Sequence, residues 1–284
     1  LDIATAVAIA FPRNPMHTAY QAWDLQKFSR GKFTLGLGSQ IKTHIEKRFG
    51  TDFHPPASRM RDYIQALKSI FKCWQEGSRL DYQGEFYRHT LMTPMFNPGE
   101  NEFGVPSITM GALGPKMTEV AGEVADGLIV HPFNNESFVR ENTLPALDLG
   151  IEKSDRDRSD ISLNVHAIVI TGESEEEMND ARDSVKKLLG FYGSTPAYLA
   201  PMDSIGYGAL HPELNRLSKK GKWNELGEAI DEGFLEAFCI EGEPGNLASK
   251  LINRHGSYAD RIGLYAPYNV SDNIWRQLLS DLKD

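Results

Sequence analysis

Cysteine is almost missing from this chain. Its two cysteines, Cys73 and Cys239, stand far apart and in no metal or redox spacing. That excludes a disulfide scaffold and makes reduced thiols in a cytoplasmic setting the expectation. Long apolar runs are missing too, none approaching the roughly 20 residues that span a bilayer, so no membrane partner is expected. Basic residues are outnumbered: 30 Lys and Arg against 39 Asp and Glu give a net charge of −9 and a pI near 5.4, the wrong sign for a general nucleic-acid partner. There is no Gly-x-Ser-x-Gly elbow and no HExxH, the commonest marks of serine hydrolases and zinc proteases. None of the eight histidines falls into a metal-ligating spacing, so no metal site is expected. What is left is a 284-residue chain, 40% hydrophobic and 24% charged, of a size common for a one-domain α/β barrel.

The most informative stretch present is Gly104 to His131, GVPSITMGALGPKMTEVAGEVADGLIVH. It reads as strand, glycine-rich turn, short helix and second strand. Ser107 to Met110 favours a strand, and the turn Gly111-Ala112-Leu113-Gly114 leads into Pro115, suited to a first helical position because its missing N–H would be unpaired there anyway. Met117, Val120, Ala121 and Val124 then fall on one helical face. Free amides at such a helix start, the positive dipole end and Lys116 together suit a phosphate, and the same pattern also serves a plain strand-to-helix connection.

Strand-like runs recur at Ile3 to Phe11, Phe33 to Gly38, Ser107 to Gly111, Leu128 to His131, Leu163 to Ile170 and Arg261 to Ala266, mostly separated by helical patterns. Six such runs alternating with helices mean parallel βαβ units. Met60, Ile64, Leu67, Phe71 and Trp74 trace one helical stripe that ends at Gly77. Ser174-Glu175-Glu176-Glu177 is a capping-box pattern opening a helix with Met178, Ala181, Val185 and Leu188 on its apolar face and Gly190 as its stop.

Gly114-Pro115-Lys116-Met117, Ala121-Gly122-Glu123 and Ala125-Asp126-Gly127 together resemble the cofactor-phosphate turn of the luciferase-like flavin and deazaflavin oxidoreductases. The runs LGLGSQ, GEFYRHTLMTPMFNPG, VAGEVADGLIVHPF and FYGSTPAY extend the resemblance over essentially the whole chain, and with Gly-Pro-Lys in the turn they are most similar to the branch using the deazaflavin coenzyme F-420. The resemblance implies a TIM (β/α)8 barrel of the bacterial luciferase type, a single domain over residues 1–284 with insertions at about 80–104 and 191–239. Thr5 to Gln40 would then be the third and fourth strands with their helix, and two βα units are expected to precede Leu1, outside this chain.

TIM barrels carry their chemistry at the C-terminal ends of the strands. On the first run stand Ala6, Val7, Ala8 and Ile9, where the resemblance implies a backbone bulge under the cofactor's central ring and makes Ala6-Val7 the candidate for a non-prolyl cis peptide. An ordinary buried strand is the alternative. After the second come Gly38, Ser39 and Gln40, with His44 a turn further on. Some deazaflavin sugar-phosphate dehydrogenases of the family carry an acidic proton donor where Gln40 stands; Gln40 can only orient by hydrogen bonds. Ala112, Leu113, Gly114, Pro115, Lys116 and Met117 are the expected phosphate clamp. His131, emerging at the rim of an apolar strand, has the strongest positional claim among the histidines to touch cofactor or substrate. The candidate catalytic residues are therefore His131, His44 and Gln40.

Of the insertions, Leu80 to Gly104 reads as a hairpin and loop of scaffold. Phe191 to Cys239, with Tyr192, Tyr198, Tyr207 and Trp223, suits either a wall over the substrate or a surface between copies of the chain, and a homodimer or higher homo-oligomer is expected. The function expected is hydride transfer between coenzyme F-420 and a small organic substrate. An FMN-dependent monooxygenase and a non-catalytic flavin-binding relative are the alternatives.

Overall fold

In a computed structural model, which describes residues 1–282, the chain divides into two compact units, Leu1–Ile129 with Ala146–Ile161, and Val130–Pro145 with everything from Ser162 onward. The first unit holds β1 (Ile3–Ala4), β2 (Ala8–Ile9), β3 (Phe33–Gly38), a small hairpin of β4 (Tyr82–Gln83) and β5 (Arg88–His89), β6 (Ser107–Ala112) and β7 (Gly127–Val130), whose last residue opens the second unit. Both β1 and β2 run parallel to β3, β3 runs parallel to β6, and β7 is next in order. The strand expected to run unbroken from Ile3 to Phe11 is thus two short pieces.

Outside this sheet the helix Pro56–Glu76 buries the whole expected stripe, Met60, Ile64, Leu67, Phe71 and Trp74. It stops at Gly77, whose φ of 65° is the left-handed conformation that glycine adopts without a Cβ penalty. Trp23, from the helix Pro15–Phe28, stacks on Phe71 at 5.6 Å and meets Trp74 edge-on at 5.4 Å, so aromatic packing joins the two helices. The hairpin folds onto the carboxylate of Asp62, which accepts from the Tyr82 hydroxyl and from the amides of Phe86 and Tyr87. A methyl at Gly84 would run into that carboxylate. The 80–104 segment begins as scaffold, as expected.

The second unit is built on β8 (Ser162–Ile170), with β9 (Cys239–Glu241) and β10 (Arg261–Tyr265) parallel on its two sides. The strand β9 is absent from the sequence reading, because three residues are too few to show an alternation. Leu163, Val165 and Ala167 are buried while Ser162, Asn164 and His166 keep some exposure, the period-two signature of a sheet with unlike faces. Ala167 and Val169 pack with Leu247, Leu251 and Leu278 of the covering helices. Ile168 and Ile170 instead join a second core with Phe133, Met202, Leu214, Phe234 and Phe238, so the 191–239 insertion is a helical layer over that face.

Two details differ from expectation. The helix opened by Ser174, whose hydroxyl accepts from the Glu177 amide, runs past Gly190 to Gly193. A methyl at Gly190 would strike the carbonyl of Leu226, so this glycine serves a close crossing with the helix Trp223–Glu228. Leu189 rather than Leu188 is the buried residue of that face. Among the described residues, no helix is long and apolar enough to cross a membrane.

Candidate functional site

From Ala4 to Ala8 the chain takes four steps while the paired residues of β3, Thr34 to Leu37, take three. The surplus residue is a bulge, which re-aims backbone at a strand end. The peptide between Ala6 and Val7 inside it is cis, as the resemblance implies. Where ladder bonds lapse, the Thr5 hydroxyl substitutes for them, donating to the Gly36 carbonyl at 2.8 Å and accepting from the Gly36 amide at 2.9 Å. A methyl at Gly36 would collide with the Thr5 carbonyl, one at Gly38 with the Val7 side chain, and one at Gly111 would stand 3.1 Å from Val7 Cγ1. The glycines of LGLG and Gly111 of β6 are therefore the room in which the bulge sits. Gly36 is missed by the sequence reading, although glycine at alternate strand positions is the signal of a close backbone approach.

Ile9 ends β2, its carbonyl taking a hydrogen bond from the Arg13 guanidinium. Gly38 ends β3, and Ser39 and Gln40 follow at the rim, with Gln40 exposed and at φ 59°. A non-glycine residue in this left-handed region costs of order 1 kcal/mol and is enriched at functional sites. His44 lies in the short helix Lys42–Lys47. Its carbonyl accepts from the Arg48 and Phe49 amides, and no hydrogen bond of its ring to Gln40 or Ser39 is found among the described residues.

Ala112 is the buried last residue of β6, so the turn itself is Leu113 and Gly114. Pro115 is the first residue of the helix Pro115–Val124, with Gly114 as an N-cap that offers no side chain. The Gly114 carbonyl accepts from the amides of Met117 and Thr118 and from the Thr118 hydroxyl. Met117 N–H is therefore used within the turn. Lys116 N–H has no acceptor among the described residues, and the Lys116 side chain is exposed. A Cβ built on Gly114 meets nothing within 4 Å, so the space over the turn is open. A free amide, a dipole end and a lysine fit a phosphate there.

The rest of this motif is architectural. Asp126 accepts from the Ile108 amide at 2.8 Å and pairs with Lys68 at 2.9 Å, tying the start of β7 to β6. Methyls at Gly122 and Gly150 would clash with the backbone of the facing helix, so those glycines let the helices Pro115–Val124 and Leu144–Lys153 touch.

In the second unit, His131 packs against the rings of Tyr198 at 4.7 Å and Tyr192 at 5.2 Å, which also meet each other. The Phe133 amide donates to His131 Nδ1 at 3.1 Å, which puts the proton of the neutral ring on Nε2. Burial, then the neighbouring His166, pushes the His131 pKa down to about 4, so the ring is neutral at pH 7 and a hydrogen-bond donor rather than an imidazolium acid. Asn134 donates to the carbonyls of both His131 and His166. The His166 ring fills the space over Gly263, and its pKa is lowered by burial. Tyr192 faces Tyr265, the last residue of β10; burial first, then this neighbour, holds the Tyr192 hydroxyl protonated. Sequence reasoning names His131 but passes over His166 and Tyr265. The alternation along β8 could have singled out His166.

Residues 1–261 match the luciferase-like monooxygenase family. The chain belongs to this family. Among its relatives is an uncharacterized protein of Mycobacterium tuberculosis, 44% identical over 262 residues that make up 92% of this chain and 77% of the relative. A 5,10-methylenetetrahydromethanopterin reductase of Archaeoglobus fulgidus is 25% identical over 88% of this chain and 72% of its own length. The solved coenzyme F-420-dependent tetrahydromethanopterin reductase of Methanopyrus kandleri superposes with a TM-score of 0.78 over 99% of this chain and 81% of that one, at 19% identity. The fold of this luciferase-like chain is accordingly the α/β barrel type of the family, whose members use flavin or deazaflavin carriers.

Proposed function

We propose that this luciferase-like chain is an oxidoreductase that uses coenzyme F-420 to exchange hydride with a small organic substrate. The observation that carries the reading is the first unit's backbone: a bulge at residues 5–7 seated on Gly36, Gly38 and Gly111, and an open turn at Gly114 with a free Lys116 amide. When bound, the deazaflavin supplies two-electron hydride chemistry and does not readily activate oxygen. Ala6, Val7 and Ile9 would support its ring, Gly38 and Ser39 would border it, and Ala112 to Met117 would hold its phosphate through the Lys116 amide and side chain. Gln40 orients by hydrogen bonding, and His131, neutral, donates from Nε2 without yielding a proton at pH 7. His44 follows Gln40 by four positions, and among the described residues no hydrogen bond joins its ring to Gln40 or Ser39.

The reading also takes the chain as one barrel domain that assembles as a homodimer or higher homo-oligomer, which light scattering measures. Titration of the full-length protein with F-420 and with FMN, followed by ligand absorbance, tests the carrier. Tighter F-420 binding is expected, falling modestly with salt because exposed cations contribute little each. Tighter FMN binding with oxygen consumed on reduction would move the assignment to a monooxygenase.

A further inference from the structure

The second unit presents a cluster of uncharged aromatic side chains, His131, His166, Tyr192, Tyr198 and Tyr265, with spare hydrogen-bond donors. His131, His166, Tyr192, Tyr198 and Tyr265 are each half-buried, so each keeps a part of its surface open. His131 Nδ1 is occupied by the Phe133 amide, and no acceptor for Nε2–H exists among the described residues. The Tyr198 hydroxyl likewise has no hydrogen-bond partner there. The groups that act on this cluster belong to the cluster: His166 on His131, and Tyr265 and Tyr198 on Tyr192. Among the described residues, no Lys, Arg, Asp or Glu is among the causes of the shifts at His131, His166, Tyr192 or Tyr198.

Each feature selects. An anionic substrate would have to leave water for His131, Tyr192 and Tyr198, where no cation among the described residues contributes to a pKa shift, an expensive transfer. A flat apolar ring gains by packing on the tyrosines. A carbonyl oxygen satisfies the fixed Nε2–H donor, whereas a group that only donates leaves it unpaired. We propose that His131, Tyr192 and Tyr198 recognise an uncharged planar substrate through a carbonyl-type acceptor held by His131 Nε2–H, and that they discriminate against carboxylates and phosphates. This rests on reading the chain as an oxidoreductase of small organic substrates, but not on which carrier it uses.

Acetophenone and benzoate, nearly equal in shape and differing in charge, are the probes, added to the full-length protein without coenzyme while the ¹⁵N-imidazole signals of the histidines are followed by NMR. Saturable acetophenone binding that shifts the His131 Nε2 signal is expected, with benzoate at least about tenfold weaker. His131→Phe, which keeps a flat ring and removes the donor, should weaken acetophenone about fivefold, and Tyr198→Ala should weaken it with the His131 signal still responsive. Benzoate binding as tightly as acetophenone, absence of saturable acetophenone binding, or binding without a change at His131 would each overturn the proposal. Because no coenzyme is present, acetophenone can pass this test while F-420 fails to bind, and the reverse, so the two readings fail separately.

Discussion

The two units hold their candidate functional groups by opposite means. In the first, the site is backbone: a bulge, a left-handed Gln40 and a turn without a capping side chain, all made possible by glycines that leave space. In the second it is side chains: two histidines and three tyrosines, their donors fixed by burial and by one backbone amide. A backbone site is insensitive to pH and very sensitive to an added methyl. A side-chain site tolerates less acid and is sensitive to losing a ring.

The largest expected effect is at Gly36. A side chain there meets the Thr5 carbonyl, and backbone cannot swing aside as a side-chain tip can, so Gly36→Val should cost more than about 4 kcal/mol and abolish cooperative urea unfolding from a native baseline. A variant of near wild-type stability would show that the bulge moves freely and would end the contrast.

Acid comes next. His131 and His255 are lowered to about 4 by burial, and His166 is lowered too, all in the second unit. The unfolded chain, with histidine near 6.5, then binds more protons than the folded one. The stability these groups confer is complete above about pH 6.5 and is lost as pH falls toward 4, by up to about 3 kcal/mol for each of the two strongly shifted rings. In the first unit His89 is lowered by burial, against the pull of Asp62. Hydrogen exchange corrected for intrinsic rates should therefore show the second unit opening first between pH 6.5 and 4.5; earlier loss of protection in the first unit contradicts the assignment.

Asp126→Ala removes the acceptor of the Ile108 amide and the partner of Lys68 and should cost about 1–3 kcal/mol, visible as a shifted urea midpoint, with carrier affinity unaltered in the fully folded protein. Gly114→Val is the converse case. Its Cβ meets nothing, so the cost to folding should stay near 1 kcal/mol, the penalty of a poor N-cap, while F-420 affinity falls about tenfold because close backbone approach is blocked. Equal affinity would remove the phosphate from this turn. Smallest of all, Lys116→Ala should weaken F-420 about twofold at low salt and hardly at all at high salt, measured in the same titration.

Much of the fold is legible in the sequence because its signals are local. The stripe from Met60 to Trp74, the proline-started helix after Gly114 and the serine cap at Ser174 depend on neighbours three or four positions away, and each lies where those spacings place it. The cis bond at Ala6-Val7 was accessible through resemblance, not through any local rule. The sequence by itself also determined that Gln40 cannot act as an acid. Tertiary structure decided the rest. Only packing shows that Gly36, Gly38, Gly84, Gly122 and Gly190 are each a response to a chain segment distant in sequence or facing in space, because a glycine's purpose is the neighbour that it lets in. Only packing brings His166, Tyr192, Tyr198 and Tyr265 to His131, and only the Phe133 amide and burial turn that histidine from a titrating group into a fixed neutral donor. Protonation state is set by surroundings, and surroundings are what a folded chain has and a sequence does not.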